Sequence, residues 1–337
     1  MSIVIKTENL SRTFKSYEKP QGLWNSIRGF WNRKYVEKVA LAPTTLEIES
    51  GQIIGLVGAN GAGKTTLLKL LSGLVHPTSG TASVLGYKPW ERNRKFLIQM
   101  SILLGQKNQL WWDLSPVDSF ALLAEIYDLD RDKALAKVAE LSELLDCKHV
   151  LTTQLRRLSL GERMKMEIIG ALLHSPRVLY LDEPTIGLDI VAQSSIRKFL
   201  AEYVRNQGTT VILTSHYMDD IAKLADRLLL ISKGSIVYDG TVDGFISVSE
   251  SLKKISFGLT ENLPQALQLT TELQLQAGAQ QFSLEVREQE LAPVLSKITA
   301  LPGIQDLKFE EANFEDIIHR FLEKESRVLS PRGHNKS

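Results

Sequence analysis

Two hydrophobic periods alternate along much of the chain. Unbroken apolar runs occupy residues 53–57, 178–181, 211–213 and 228–231, the pattern of strands buried on both faces. Between them, apolar residues recur at three- and four-residue spacing and predict helices. Leu67, Leu68, Leu70 and Leu71 form one such stripe, and Met164, Ile168, Ile169 and Leu172 form another. Phe120, Leu122, Leu123, Ile126 and Tyr127, then Leu135, Val138, Leu141 and Leu144, predict a helical subdomain over residues 110–157. Strands that alternate with helices call for an α/β fold. Residues 3–5 read as an edge strand and 46–48 as the next strand, while 228–231 with 236–238 read as a hairpin that closes this domain near residue 245.

The pattern then changes. Ile255, Phe257 and Leu259 alternate; Leu273 and Leu275, then Phe282, Leu284 and Val286, flank Gly278 as a hairpin; Ile304, Leu307 and Phe309 suggest a last strand. Helices fit at 263–269, 288–299 and 313–323, the last with Phe314, Ile317, Ile318, Phe321 and Leu322 on one face. The order βαββαβα predicts a small α+β, ferredoxin-like domain over 246–325. Regulation and dimer support are both open as its role. Residues 326–337 read as a disordered tail.

Residues 17–38 interrupt the first domain. Leu23, Trp24, Ile27, Phe30 and Trp31 recur at helical spacing beside Arg28, Arg33, Lys34 and Lys38, which predicts a short basic amphipathic helix. It either docks on a membrane partner or lipid, or packs its aromatics on its own domain.

Candidate chemistry begins where the run 53–57 meets the leucine stripe. Residues 58–66 read Gly-Ala-Asn-Gly-Ala-Gly-Lys-Thr-Thr, which fits G-x-x-x-x-G-K-[ST] between a strand and a helix. Glycines let successive N–H groups converge on a phosphate, Lys64 adds a point charge, and the Thr65 hydroxyl can ligate Mg²⁺. The run 178–181 ends in Asp182 and Glu183 before Pro184. Beside a phosphate loop, Asp182 would hold Mg²⁺ through water and Glu183 would face the attacking water as general base; alone, the segment is a strand and an acidic turn. Leu158-Ser159-Leu160-Gly161-Glu162 opens a helix with a capping box, and such a helix start is also an anion site. Gly187, Leu188 and Asp189 follow the acids, Thr214-Ser215-His216 ends another strand, and Gln106 lies in a polar break before Leu110-Trp111-Trp112-Asp113.

In this order the motifs resemble the nucleotide-binding subunit of ATP-binding cassette (ABC) transporters over residues 1 to about 245. The resemblance implies a P-loop NTPase fold with a helical subdomain, ATP and Mg²⁺ as cofactors, and ATP hydrolysis that powers transport. Gly58, Asn60, Gly61, Ala62, Gly63, Lys64, Thr65 and Thr66 would form the phosphate loop, with Phe14 in the place of the adenine-stacking aromatic or as simple core. Thr65, Gln106 and Asp182 would serve the metal, Glu183 would be the base, and His216 would contact the γ-phosphate. Ser159 and Gly161 would hold the phosphate of a second subunit's ATP, with Asp189 in the dimer loop of a head-to-tail homodimer. Family members commonly read Leu-Ser-Gly-Gly-Gln where this chain has Leu160 and Glu162, and Glu162 can turn back to cap Ser159.

The wording Leu-Ser-Leu-Gly-Glu-Arg-Met-Lys-Met-Glu resembles a subgroup of bacterial exporter ATPases with separate integral-membrane permeases, and the 17–38 segment resembles an insertion of polysaccharide and teichoic acid exporters. By that likeness the subunit sits on the cytoplasmic face of the inner or plasma membrane, held through its permease. Composition agrees. A net charge of +1 supplies no field to recruit nucleic acid, and the single Cys147 suits a reducing compartment. No run approaches a membrane span and the start does not read as a signal peptide, so a membrane role would run through a partner. The alternative is a soluble cassette ATPase of translation or DNA repair.

Overall fold

Strands β1 (Ile3–Tyr17) and β2 (Tyr35–Glu49) form one long antiparallel ladder, from Ile3 opposite Glu49 to Tyr17 opposite Tyr35. β3 (Ile53–Val57) and helix α1 (Lys64–Leu71) follow, and β4 (Ser79–Val84) then returns to pair with the free edge of β1. This three-stranded sheet has the order β2-β1-β4, so residues 3–5 lie in a central strand and not at an edge. Local alternation cannot reveal that correction, because the strand that covers the edge arrives only after α1. The ladder also corrects the limits of the 17–38 segment. Tyr17 and residues 35–38 are strand, with Phe14 opposite Lys38 and Ser16 opposite Val36. Their backbone groups are satisfied by each other across the ladder.

The computed structural model describes residues 2–17, 35–105, 108–215, 217–248, 252–259, 276–278, 281–287, 290–311, 314–315, 317–318 and 320–322. Gln106, His216, residues 18–34, the expected helix 263–269, Leu273, Leu275 and the tail 326–337 lie outside them. The chain divides into two compact units, Met1–Val242 and Asp243–Ser337.

In the first unit the remaining elements are α2 (Arg94–Leu97), β5 (Met100–Leu104), α3 (Pro116–Ile126), α4 (Arg131–Leu144), α5 (Leu160–Leu172), β6 (Val178–Asp182), α6 (Ile190–Gln207), β7 (Thr210–Thr214), α7 (Met218–Leu224), β8 (Arg227–Ser232) and β9 (Ser235–Gly240). Six strands make a second sheet in the order β5-β6-β7-β3-β8-β9, parallel except for the β8–β9 hairpin. α1 lies between the two sheets. Leu67, Leu68, Leu70 and Leu71 are fully buried in one cluster with Ile5, Leu10 and Ile48 of the antiparallel sheet and Ile54, Leu56 and Tyr180 of the parallel one. Each such leucine contributes about 1.5–3 kcal/mol of burial. A helix enclosed on this many sides holds its N-terminus at a fixed place over the C-terminal end of β3. In open α/β sheets that end is where ligands bind.

The second unit opens within α8 (Val242–Val248), whose buried Phe245 meets Phe314 and Phe321 edge-on at ring distances of 6.1 and 5.2 Å. β10 (Leu252–Leu259), β11 (Gln276–Gly278), β12 (Gln281–Arg287), α9 (Leu291–Thr299) and β13 (Ile304–Glu311) follow. The sheet order is β11-β12-β10-β13 with every pair antiparallel, the arrangement of a split βαβ ferredoxin-like sheet. Ile255 faces Leu284 and Phe257 faces Phe282 across the central pair, and Val294 and Ile298 of α9 join their cluster.

Candidate active site

The loop between β3 and α1 closes because of its glycines. A Cβ on Gly58 would stand 2.2 Å from the Ile231 carbonyl oxygen, and one on Gly63 would stand 2.5 Å from that of Ala40. Gly63 also has φ +120°, a conformation that side chains resist. Lys64 begins α1, is buried, and donates from Nζ to the Gly58 oxygen at 2.7 Å and to the Ala59 oxygen at 3.4 Å. Burial lowers the ammonium's pKa, and the nearby Glu183 and Asp182 charges oppose that fall. Its cation therefore stands at the centre of a loop whose backbone it already braces.

The acids reach this loop through the sheet. Asp182 ends β6, in register with Leu104 of β5 and Thr214 of β7. One carboxylate oxygen accepts from the Thr65 hydroxyl at 2.9 Å and the other from the Thr214 hydroxyl at 2.8 Å. Glu183 follows in the left-handed region, at φ +57°. Its N–H donates to the Thr214 carbonyl and hydroxyl oxygens at 3.1 and 3.0 Å, which holds a conformation that costs on the order of 1–3 kcal/mol. Thr65, Lys69, Gly105, Asp182, Glu183 and Ile186 line a cleft of about 290 Å³. A hydroxyl and a carboxylate side by side are hard oxygen donors of the kind Mg²⁺ takes. Among the described residues no three His, Cys, Asp or Glu side chains form a cage of their own, so such an ion would complete its shell from phosphate and water.

Ser159 caps α5 in a reciprocal box. Its hydroxyl accepts from the Glu162 N–H at 3.3 Å, and the Glu162 carboxylate accepts from the Ser159 N–H at 2.9 Å and hydroxyl at 2.7 Å. The Ser159 hydroxyl, then its N–H, hold the Glu162 carboxyl below its usual range. This box places the acid beside the serine. Asp189 caps α6 by accepting from the Ala192 N–H at 2.9 Å. The two helix starts adjoin: a Cβ on Gly161 would stand 3.0 Å from that of Ala192, and one on Gly187 would stand 3.2 Å from Leu160. Leu160, Ile190 and Val191 are exposed around this junction.

The structure thus joins Thr65, Asp182 and Glu183 in one cleft beside Lys64, and sets Ser159, Gly161 and Asp189 in a second cluster. Phe14 stands on β1 with the Arg12 guanidinium over its ring at 4.5 Å. The segments next to Gln106 and His216 are described although those residues are not. Gly105 donates its N–H to the Asp182 carbonyl oxygen at 2.8 Å. Ser215 donates its hydroxyl to Asp220 at 2.9 Å.

Several buried polar positions are missed by a reading of the sequence alone. Fully buried Asp220 also accepts from the Thr185 hydroxyl and the Arg197 guanidinium, so it ties the loop after Glu183 to the loop before His216. Asp219 and Asp220 look like an acidic helix start, which hides this role. Thr214 reads only as the end of a strand. Glu167 left a visible signal, since it falls on the apolar face of α5 beside Met164 and Ile168, where a charge is out of place.

Comparison with known proteins adds to this geometry. Residues 41–186 match the ABC transporter domain family. The chain is 30% identical over 229 residues to the ABC transporter ATP-binding protein NatA of Bacillus subtilis (strain 168), across 68% of this chain and 92% of that protein. It is 29% identical over 299 residues to the Nod factor export ATP-binding protein I of Burkholderia orbicola (strain AU 1054), across 87% and 95%. Among solved structures, cbiO1 from Clostridium perfringens, part of the transporter complex cbiONQ, superimposes with a TM-score of 0.60 at 25% identity over 74% of this chain and 92% of that one. The ATP-binding cassette MJ0796, a dimer in a post-hydrolysis state with ADP and Pi, gives 0.58 at 20% identity over 70% and 98%, a likeness of fold.

Proposed function

The chain belongs to the ABC transporter family as one of its ATP-binding proteins, and on that premise we propose that it hydrolyses ATP at the Thr65–Asp182–Glu183 cleft to drive export through a separate integral-membrane permease. The observation that carries the reading is the Thr65–Asp182 hydrogen bond, which brings the phosphate loop to the acid pair across 117 residues of sequence. Export is the direction named for the Nod factor relative, which aligns over most of both chains. None of the relatives described above is a translation or repair protein.

In this reading the loop N–H groups and Lys64 hold the β- and γ-phosphates. Thr65, Asp182 and Gln106 would hold Mg²⁺. When bound, that ion would supply charge that neutralises the phosphates. Glu183 orients a water and takes its proton. His216 contacts the γ-phosphate, and Phe14 stacks on adenine. Two subunits pair head to tail, so that Ser159 and Gly161 of one face the ATP of the other, with Asp189 at the junction. Among the described residues no helix is long and apolar enough to cross a membrane. The subunit would work at the cytoplasmic face, attached through its permease. Residues 1–245 would form the ATPase domain, and residues 246–325 would regulate it or support the dimer.

Two experiments test this. In a pull-down from detergent-solubilised membranes, the tagged full chain should recover a polytopic membrane protein; recovery of ribosomal or repair proteins in its place would refute transport. Mixing Lys64→Ala chains with Ser159→Arg chains should give mixed dimers that bind ATP at one intact composite site. No recovery of ATP binding beyond either variant alone would rule out the trans arrangement.

A further inference from the structure

Glu167 is a buried carboxylate that the chemistry above does not use. It projects from α5 about two turns beyond Ser159. It is 4% exposed, and its carboxylate accepts the backbone N–H of Gln109 at 3.0 Å and of Leu110 at 3.5 Å. Burial raises its pKa, while those two N–H groups and the Arg163 cation oppose the rise. The same face of α5 grips the segment at two further points. One turn before Glu167, the Arg163 guanidinium lies 5.0 Å from the ring centre of Trp112. One turn after it, Gly170 leaves room for Leu110, whose side chain would stand 3.1 Å from a Cβ there.

The segment leads from the parallel sheet into the helical subdomain. Gln109 is held on both sides, by its side-chain amide on the Ile102 oxygen of β5 and by its backbone on Glu167. Past it, the chain is fastened to the end of the subdomain nearest α5. Arg156 N–H donates to the Trp112 oxygen at 3.1 Å, Leu155 N–H to the Leu114 oxygen at 3.0 Å, and the Arg156 side chain pairs with Asp113 at 3.2 Å. Trp111 and Trp112 are 39% and 45% exposed.

We propose that Glu167 is a positioning residue that locks the Gln109–Trp112 segment to the helix headed by Ser159, so that engagement of ATP at the helix start moves the exposed tryptophan pair. Arg163 is the second point of the lock. The inference rests on the reading of Ser159 as a phosphate contact. Its physical basis is stiffness: a helix moves as a unit, and a buried carboxylate with two N–H partners cannot release them without leaving its charge unsatisfied.

The test uses the full chain, Mg²⁺ and a non-hydrolysable ATP analogue, with acrylamide quenching of the fluorescence lost in a Trp111→Phe/Trp112→Phe reference. In the natural chain the analogue should change that quenching. Glu167→Ala should abolish the change while analogue affinity stays within about threefold, and Glu167→Gln, whose one amide oxygen can keep the Gln109 N–H but whose NH₂ cannot accept from Leu110, should restore it only in part. Arg163→Ala trims a half-buried side chain and should weaken the response even if Glu167→Ala folds poorly. A full response in both Glu167→Ala and Arg163→Ala would overturn the inference, as would tryptophans that do not respond in a natural chain that binds the analogue. Failure of the natural chain to bind the analogue would instead overturn the phosphate-loop reading.

Discussion

Replacing Glu183 by Gln is expected to stop ATP turnover and leave ATP bound. The amide keeps the size of the carboxylate, so the left-handed backbone at this residue and its two bonds to Thr214 are retained. It cannot take a proton from water. General-base assistance is worth about 10²–10⁴-fold, and the loss should fall on kcat with little change in ATP affinity. Nucleotide should then elute with protein on gel filtration, and the protein should shift to a dimer. Phosphate release near that of the unchanged chain would remove Glu183 as the base.

The largest stability effect is expected at Asp220. Its carboxylate is fully buried and receives the Arg197 guanidinium together with the Thr185 and Ser215 hydroxyls. Asp220→Ala leaves a partly buried cation and two hydroxyls without their acceptor, a loss of about 3–5 kcal/mol by analogy with other broken buried pairs. Chemical denaturation measures it. Adding Arg197→Met should recover part of the loss, because an apolar side chain needs no counter-charge. A single-variant loss under about 1 kcal/mol would show that water compensates the site. Thr185 stands two residues past Glu183, so the variant should also lower turnover more than ATP binding.

The parts of this protein written into its sequence are those whose partners lie a few residues away. The phosphate loop is legible because strand, glycines and helix follow one another, and the glycines answer local demands such as the φ of +120° at Gly63. The capping box at Ser159 is legible because Glu162 is one helical turn on. The strands of the ferredoxin-like unit are legible because alternation marks the buried face of each. Pairing across long stretches of chain is different. Alternation at Ile3 to Ile5 says which side chains are buried, but not that β4 would return to make β1 central. Asp182 ends an apolar run in any reading, yet its contacts with Thr65 and Thr214 span 117 and 32 residues and depend on the order of parallel strands. Asp220 looks like an ordinary helix acid until the fold buries it, and Glu167, out of place on an apolar helix face, does not disclose its partners. Burial makes each one's hydrogen-bond partners obligatory, and only the tertiary structure decides which groups those are.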